Sequence, residues 1–204
     1  MISMMAASAL MATPVLTGDL IYATPPANNV QRHQWESSSN FFIFKELSAF
    51  TVDAATSAMT GIAEGTTVNV YFVHFDPVGS TSPSSPLYLS GTATFDYEIL
   101  YAMRTTTQLQ SFDSIAIAAG SGLTYQPFSS SSSSGHAWRG HTGTGDLFSG
   151  VGTNMASITM EQVSGADFDQ IRLFVATPEP ASMLLMGFGL LGLGFVGVRR
   201  RRSN

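Results

Sequence analysis

From Thr66 to Phe75 the chain reads TTVNVYFVHF, with apolar side chains on both parities of the run. Alternate residues of a strand point to opposite faces. Val68, Val70 and Phe72 therefore face one way, and Tyr71, Val73 and Phe75 the other. A strand with one wet face would alternate apolar with polar residues. This one does not, as expected of a strand that is covered on both sides.

The neighbouring sequence offers material for such a sheet. Short β-branched or aromatic runs, bounded by Gly, Pro, Ser and Asp, predict strands near Phe41–Glu46, Thr66–Asp76, Leu87–Met103, Asp113–Ala118, Met155–Glu161 and Phe168–Ala176. Thr92, Thr94, Asp96 and Glu98 alternate with Ala93, Phe95, Tyr97 and Ile99. No stretch holds a helical period for more than two turns, and Ala49–Ala63, with its threonines and Gly61, is the best helix candidate. The expected fold is mainly β, an antiparallel, jelly-roll-like β-sandwich over residues 24–177. About 150 residues can bury a core of their own. There is no cysteine, which excludes disulfides and thiolate chemistry. Between residues 24 and 177 there are five basic residues (Arg32, Lys45, Arg104, Arg139, Arg172) and 12 of the 14 acids, a formal charge of −7. Such a domain is no nucleic-acid binder.

The C-terminal stretch obeys other rules. Ala181 to Val198 contains 18 residues and no ionisable side chain. As a helix rising ~1.5 Å per residue it covers roughly 27 Å, close to the hydrocarbon thickness of about 30 Å. Arg199, Arg200, Arg201 and Arg202 follow at once, and basic clusters beside a span stay on the cytoplasmic side. Pro178 and Pro180 disfavour helix before them, so the expected transmembrane helix covers residues 181–198, ahead of a cytoplasmic tail at 199–204. Gly187, Gly189 and Gly192 spell G-x-G-x-x-G, but no acidic residue follows at the distance a dinucleotide site needs.

Pro178-Glu179-Pro180-Ala181, a Gly/Leu-rich apolar run and an arginine block, in that order, resemble the PEP-CTERM sorting signal. The resemblance covers residues 178–204. It implies export in a bacterium with an envelope exopolysaccharide system and processing by a membrane enzyme, exosortase. It makes Pro178, Glu179 and Pro180 the recognition motif and the span a temporary hold in the inner membrane. The residues alone also permit a permanent tail anchor.

Residues 1–23 have the apolar run and small residues of a secretory signal peptide, with cleavage after Ala12 or Ala23 and signal peptidase as the implied partner. No Lys or Arg precedes Arg32, so the basic n-region is missing; a start codon a few residues upstream would supply it. An ordinary first strand is the other reading.

Few residues suggest chemistry. Val78–Pro86 and Phe128–Gly135 are low-complexity connections. The second leads into His136, Trp138, Arg139 and His141, a candidate ligand loop in which Trp138 could stack on a sugar ring or merely anchor the loop. His136, His141 and Asp146 could hold zinc, but Cys and a metal-helix spacing are lacking, so no metal and no cofactor is expected. His74 and Asp76 share a direction on their strand, although Asp76-Pro77-Val78-Gly79 also reads as a turn. Asp76, Asp96, Asp113 and Asp146 lack calcium-loop spacing, and no G-x-S-x-G occurs. Tyr71–Gly79, Thr94–Leu100 and Asp167–Pro180 resemble a β-rich domain of several PEP-CTERM proteins, one without an established activity. The expectation is a non-enzymatic exported protein of the cell surface or extracellular polysaccharide. The rivals are an envelope enzyme with paired carboxylates, drawn from Asp96, Glu98 or Asp113, and an anchored glycan binder.

Overall fold

The structure is a computed structural model that describes residues 13–31, 34–78, 86–126, 140–141, 145–162 and 168–177. The described chain forms nine strands and two α-helices: β1 (Val15–Gly18), β2 (Leu20–Tyr22), β3 (Phe41–Thr51), α1 (Ala54–Thr60), β4 (Thr67–Phe75), β5 (Leu87–Thr94), β6 (Ile99–Met103), α2 (Thr106–Ala118), β7 (Leu147–Ser149), β8 (Met155–Gln162) and β9 (Asp169–Ala176). One sheet has the order β1-β5-β8-β7 and the other β2-β3-β4-β9-β6. All pairings are antiparallel except β2 with β3.

β4 lies between β3 and β9 and is covered on both faces, as expected. Its two residue sets enter two separate cores. Tyr71, Val73 and Phe75 join Ile43, Ile171 and Leu173 against Leu89, Ile158 and Met160 of the four-stranded sheet, with Phe95 just beyond β5. Val68, Val70 and Phe72 join Phe44, Leu47 and Phe174 under Leu109, Phe112 and Ala116 of α2, with Met59 of α1 beside them. The sandwich is present, and the helices add a third layer that a two-sheet, jelly-roll-like plan lacks.

That third layer corrects the expected strand at Asp113–Ala118, which is the second half of α2. Ile115 and Ile117 with alternating small residues read as β when taken alone. The signal for helix lies upstream. Thr105 accepts from the Gln108 amide, and the Gln108 side chain returns to the Thr105 backbone, a reciprocal cap. Leu109, Phe112 and Ala116 then recur on one buried face. The helix expected over Ala49–Ala63 shrinks to α1, started by the Asp53 carboxylate on Thr56 N and ended at Gly61. The first strand runs on past Glu46 to Thr51 because two register shifts let it bend. One shift places Glu46 and Leu47 both under the helical layer; at the other, Ala49 N donates to Asn69 Oδ1 at 3.1 Å.

Leu87–Met103 is two strands rather than one. The chain leaves the four-stranded sheet after Thr94 and enters the five-stranded sheet at Ile99.

The N-terminal stretch is paired as well. Val15–Gly18 pairs with Gly91–Thr94 and Leu20–Tyr22 with Phe41–Ile43, so residues assigned to the leader are strands of both sheets. The chain turns the corner between the sheets at Gly18, whose φ of +70° and contact with the Ser90 carbonyl suit glycine alone. Asp19 fixes that corner: its N–H donates to Ser90 O at 2.8 Å and its carboxylate accepts from Ser90 N at 2.9 Å. A boundary at Ala23 would discard the corner; one at Ala12 keeps it.

Residues 181–198 and 199–204 lie outside the described residues. Among the described residues, no helix is long and apolar enough to cross a membrane.

Candidate functional site

The two sheets meet at the β1–β2 corner, and at the far side their outermost strands, β6 and β7, leave a groove of about 770 Å³. Tyr101 and Ala102 of β6, Arg104, Thr105 and Gln108 at the start of α2, His141, Asp146, and Phe148 to Val151 around β7 line it. The volume falls within the ~300–1,000 Å³ usual for small-ligand sites.

One wall is set by the cap of α2. Gln108 Oε1 accepts from Arg104 N and Thr105 N, each at 3.2 Å, while its Nε2 donates to the Tyr101 hydroxyl at 2.8 Å. The end of β6 and the first turn of α2 thus form one bonded unit. The Arg104 guanidinium lies over the Phe148 ring, 5.6 Å from its centroid, and reaches from this wall to the other. Among the described residues no carboxylate pairs with it.

His141 arrives because Gly140 packs directly on the β6–α2 junction. A Cβ on Gly140 would stand 2.6 Å from Arg104 O and 2.7 Å from Thr106 N, so no side chain fits there. His141 is 1 % exposed, and its Nε2–H donates to Thr159 O at 2.6 Å. Asp146 Oδ1 accepts from Glu161 N at 2.8 Å and lies 4.0 Å from His141 Nε2. Glu161 in turn holds Gly145 N and the Tyr88 hydroxyl. Burial holds the His141 imidazole below its ordinary pKa of 6.5, partly offset by Asp146. With Nε2 donating to a carbonyl, Nδ1 carries the lone pair. That atom is buried and has no hydrogen-bond partner among the described residues.

A neutral imidazole held this way keeps an acceptor lone pair inside the fold. A nucleophile would have to be bonded to Nδ1, and no described hydroxyl is. Among the described residues, no three His, Cys, Asp or Glu side chains stand together to hold a metal ion.

Of the candidate ligand loop, His141 alone is described and lines the groove; His136, Trp138 and Arg139 lie outside the described residues. Asp146 is brought to His141 as the zinc reading supposed, without a described third ligand. His74 is a structural residue, fully buried, donating from Nε2 to Trp35 O at 3.2 Å and accepting at Nδ1 from Gln170 Nε2 at 3.0 Å. Trp35 stacks on it with ring centroids 5.4 Å apart. Asp113 bonds Arg172 at 2.7 Å from α2, whereas Asp96 and Glu98 lie in the turn between β5 and β6. Arg104, Tyr101 and Gln108 escaped the sequence reading. The Thr105-x-x-Gln108 cap was the available signal, but only the fold opposes it to Phe148.

The last described strand leads straight to the remaining candidate. Ala176 N donates to Glu98 O at 2.9 Å, and Thr177 Oγ1 to Thr67 O at 3.0 Å, so the fold stays hydrogen-bonded up to the residue before Pro178. Residues 176–202 match the family model of the PEP-CTERM protein-sorting motif. The chain carries a PEP-CTERM sorting signal. The PEP-CTERM signal implies export, transit through the membrane and processing by an exosortase system. No curated protein and no solved structure matches the chain. Pro178, Glu179, Pro180 and Arg199 to Arg202 lie inside the matched segment and outside the described residues.

Proposed function

We propose that this protein is exported, held in the inner membrane by residues 181–198 with Arg199 to Arg202 on the cytoplasmic side, and cut by exosortase at or near Pro178-Glu179-Pro180. The released sandwich resides on the cell surface or in the extracellular polysaccharide matrix and does no catalysis of its own. The observation that carries this reading is the PEP-CTERM match at residues 176–202, which starts where β9 ends. A cut beyond Thr177 leaves every described strand in place. The corner at Gly18–Asp19 supports a leader that ends ahead of Val15, with Ala12 as the signal-peptidase position.

Mass spectrometry of the protein from its native host, reading both termini, tests this. The mature form should begin before Val15 and lack residues 181–204. Glu179→Gln or Pro180→Ala should leave the full-length form in the inner membrane, since a plain anchor would tolerate either change while an enzyme reading an extended, acidic segment would not. Wild-type protein that stays full-length and membrane-bound in its own host would replace exosortase processing with a permanent single-pass anchor.

A further inference from the structure

We propose that the end of the sandwich at which β9 finishes lies on a zwitterionic phospholipid surface, with Tyr97, Val151 and Met155 among the headgroups and Val15 beside them. The proposal rests on the reading that residues 181–198 span the inner membrane, and it concerns the protein before exosortase releases it.

Chain length sets the distance. The fold stays bonded through Thr177, whose N–H and Oγ1 both donate to Thr67 O. Only Pro178, Glu179 and Pro180 separate Thr177 from the apolar run. Three extended residues reach about 10 Å. The headgroup layer is itself roughly 5–7 Å deep on each side of the membrane, and an 18-residue helix has no length to spare for the hydrocarbon core. The tether therefore brings this end of the fold to the headgroups.

The backbone shows what is gathered there. Ala176 N donates to Glu98 O at 2.9 Å, which sets the β5–β6 turn beside the end of β9. Phe95 N donates to Asn154 O at 2.8 Å and Ile99 N to Thr153 O at 2.7 Å, so the β7–β8 turn packs on the β5–β6 turn. Val15, Thr94 and Met155 stand side by side in the last row of the four-stranded sheet. β1 thus begins at the end where β9 finishes, and the apolar leader expected before it joins the fold there too. Val15 is 68 % exposed, Tyr97 38 %, Val151 52 % and Met155 48 %. Large apolar groups that collect in water mark a contact surface, and tyrosine is favoured at the membrane interface because its ring and hydroxyl suit opposite sides of it.

Charge selects the lipid. Glu64, Asp96 and Glu98 are exposed on this end, and residues 61–66, 95–98 and 150–154 contain no Lys or Arg. Anionic lipid repels these carboxylates, so zwitterionic headgroups fit the surface better.

The chain has no cysteine, so one introduced cysteine carries a spin label at a single known place. The full chain is labelled at Val151→Cys, Met155→Cys, Leu190→Cys or Val78→Cys, the last at an exposed position past the opposite end of β4. Each is reconstituted in phosphatidylcholine vesicles with a neutral nickel chelate on both sides, and its relaxation is read by EPR. The Val151 and Met155 labels should be several-fold less open to nickel than the Val78 label. Tyr97→Asp with Val151→Asp, both at water-exposed positions, should return the Met155 label to the level of Val78. Continued protection of that label would show that the tether alone holds the end down, and would overturn the apolar seat. Nickel access at Val151 and Met155 equal to that at Val78, with the Leu190 label inside the bilayer, would overturn the proposal and leave the span standing. A Leu190 label open to nickel would remove the span and the proposal with it. Stronger protection in phosphatidylglycerol vesicles at low salt would overturn the choice of a zwitterionic surface.

Discussion

The five-stranded sheet is packed on both faces, and the two faces are built by different rules. Toward the four-stranded sheet, Ile43, Tyr71, Val73, Phe75, Ile171, Leu173 and Val175 meet an apolar surface. Toward the helices, the same strands carry Glu46, His74, Gln170 and Arg172, all buried. Arg172 is the hub of that face. Its Nε donates to Glu46 Oε2 at 2.9 Å, Nη2 to Glu46 Oε1 at 2.9 Å and to Asp113 Oδ1 at 2.7 Å, and Nη1 to Leu109 O at 2.6 Å. Its guanidinium also lies 4.9 Å from the ring centroids of Phe72 and Tyr125 and 5.3 Å from that of Phe112. Burial opposes the charge, but the Glu46 and Asp113 carboxylates outweigh it and push the Arg172 pKa upward. Burial, together with the Glu46 charge, likewise raises Tyr125 and keeps it a phenol that donates to Glu46.

The difference has a physical reason. Two sheets register through alternation repeated along every strand, so apolar contact specifies their pairing by itself. A single amphipathic helix can slide or rotate on a flat apolar face at little cost. The bonds from Arg172 to Leu109 O and Asp113 choose one position for α2 and penalise the rest, the use of buried polar groups best attested as registry.

Substitutions on each face, and a change of pH, break or sharpen this contrast. Val73→Asp puts an unpaired carboxylate into the dry layer and should cost more than about 4 kcal/mol, leaving the domain unfolded in circular dichroism at 25 °C. A folded variant would mean that the apolar layer admits water. Arg172→Met should cost about 3–5 kcal/mol in denaturant unfolding, because Glu46 remains buried without its cation. Arg172→Met with Glu46→Leu should recover much of that loss, yet protect the α2 amides less in hydrogen exchange than wild type. Equal protection would remove the registry role. The smallest effect is on pH. Since burial lowers the His141 pKa, the unfolded chain binds its proton first; stability is fully present above 6.5 and falls as pH drops through that value. The melting temperature should decline between pH 7.5 and 5.5, with a shallower slope in His141→Gln; equal slopes would show that another group carries the titration. Arg104 and Asp146 act on His141 in opposite senses, so Arg104→Gln should make the decline shallower.

Much of the architecture was legible because β4 announces it: a run apolar on both parities demands cover on both faces. The helical half of that cover was misread. Asp113-Ser-Ile-Ala-Ile-Ala alternates like a strand, and only packing against Phe44, Val70 and Phe174 selects the period that buries Leu109, Phe112 and Ala116. The end of the leader is ambiguous in the sequence for a related reason. A stretch such as Val15–Tyr22 is compatible with the end of a signal peptide and with a pair of edge strands, and its strand partners, Gly91–Thr94 and Phe41–Ile43, lie far along the chain.

The sorting signal was readable in the sequence because membranes and processing enzymes read contiguous stretches: an apolar length, a run of arginines, a Pro-Glu-Pro. No tertiary contact is needed to define any of them, and the match at residues 176–202 follows from local order alone. The groove is the opposite case. Arg104 and His141 stand 37 residues apart in sequence, and neither lies in a motif. Their convergence depends on Gly140 meeting the β6–α2 junction and on two sheets that part at β6 and β7. Opposition across a sandwich is a property of the closed fold, since it is set by which strands end up outermost. That is decided by packing the whole chain at once, and by no segment of it.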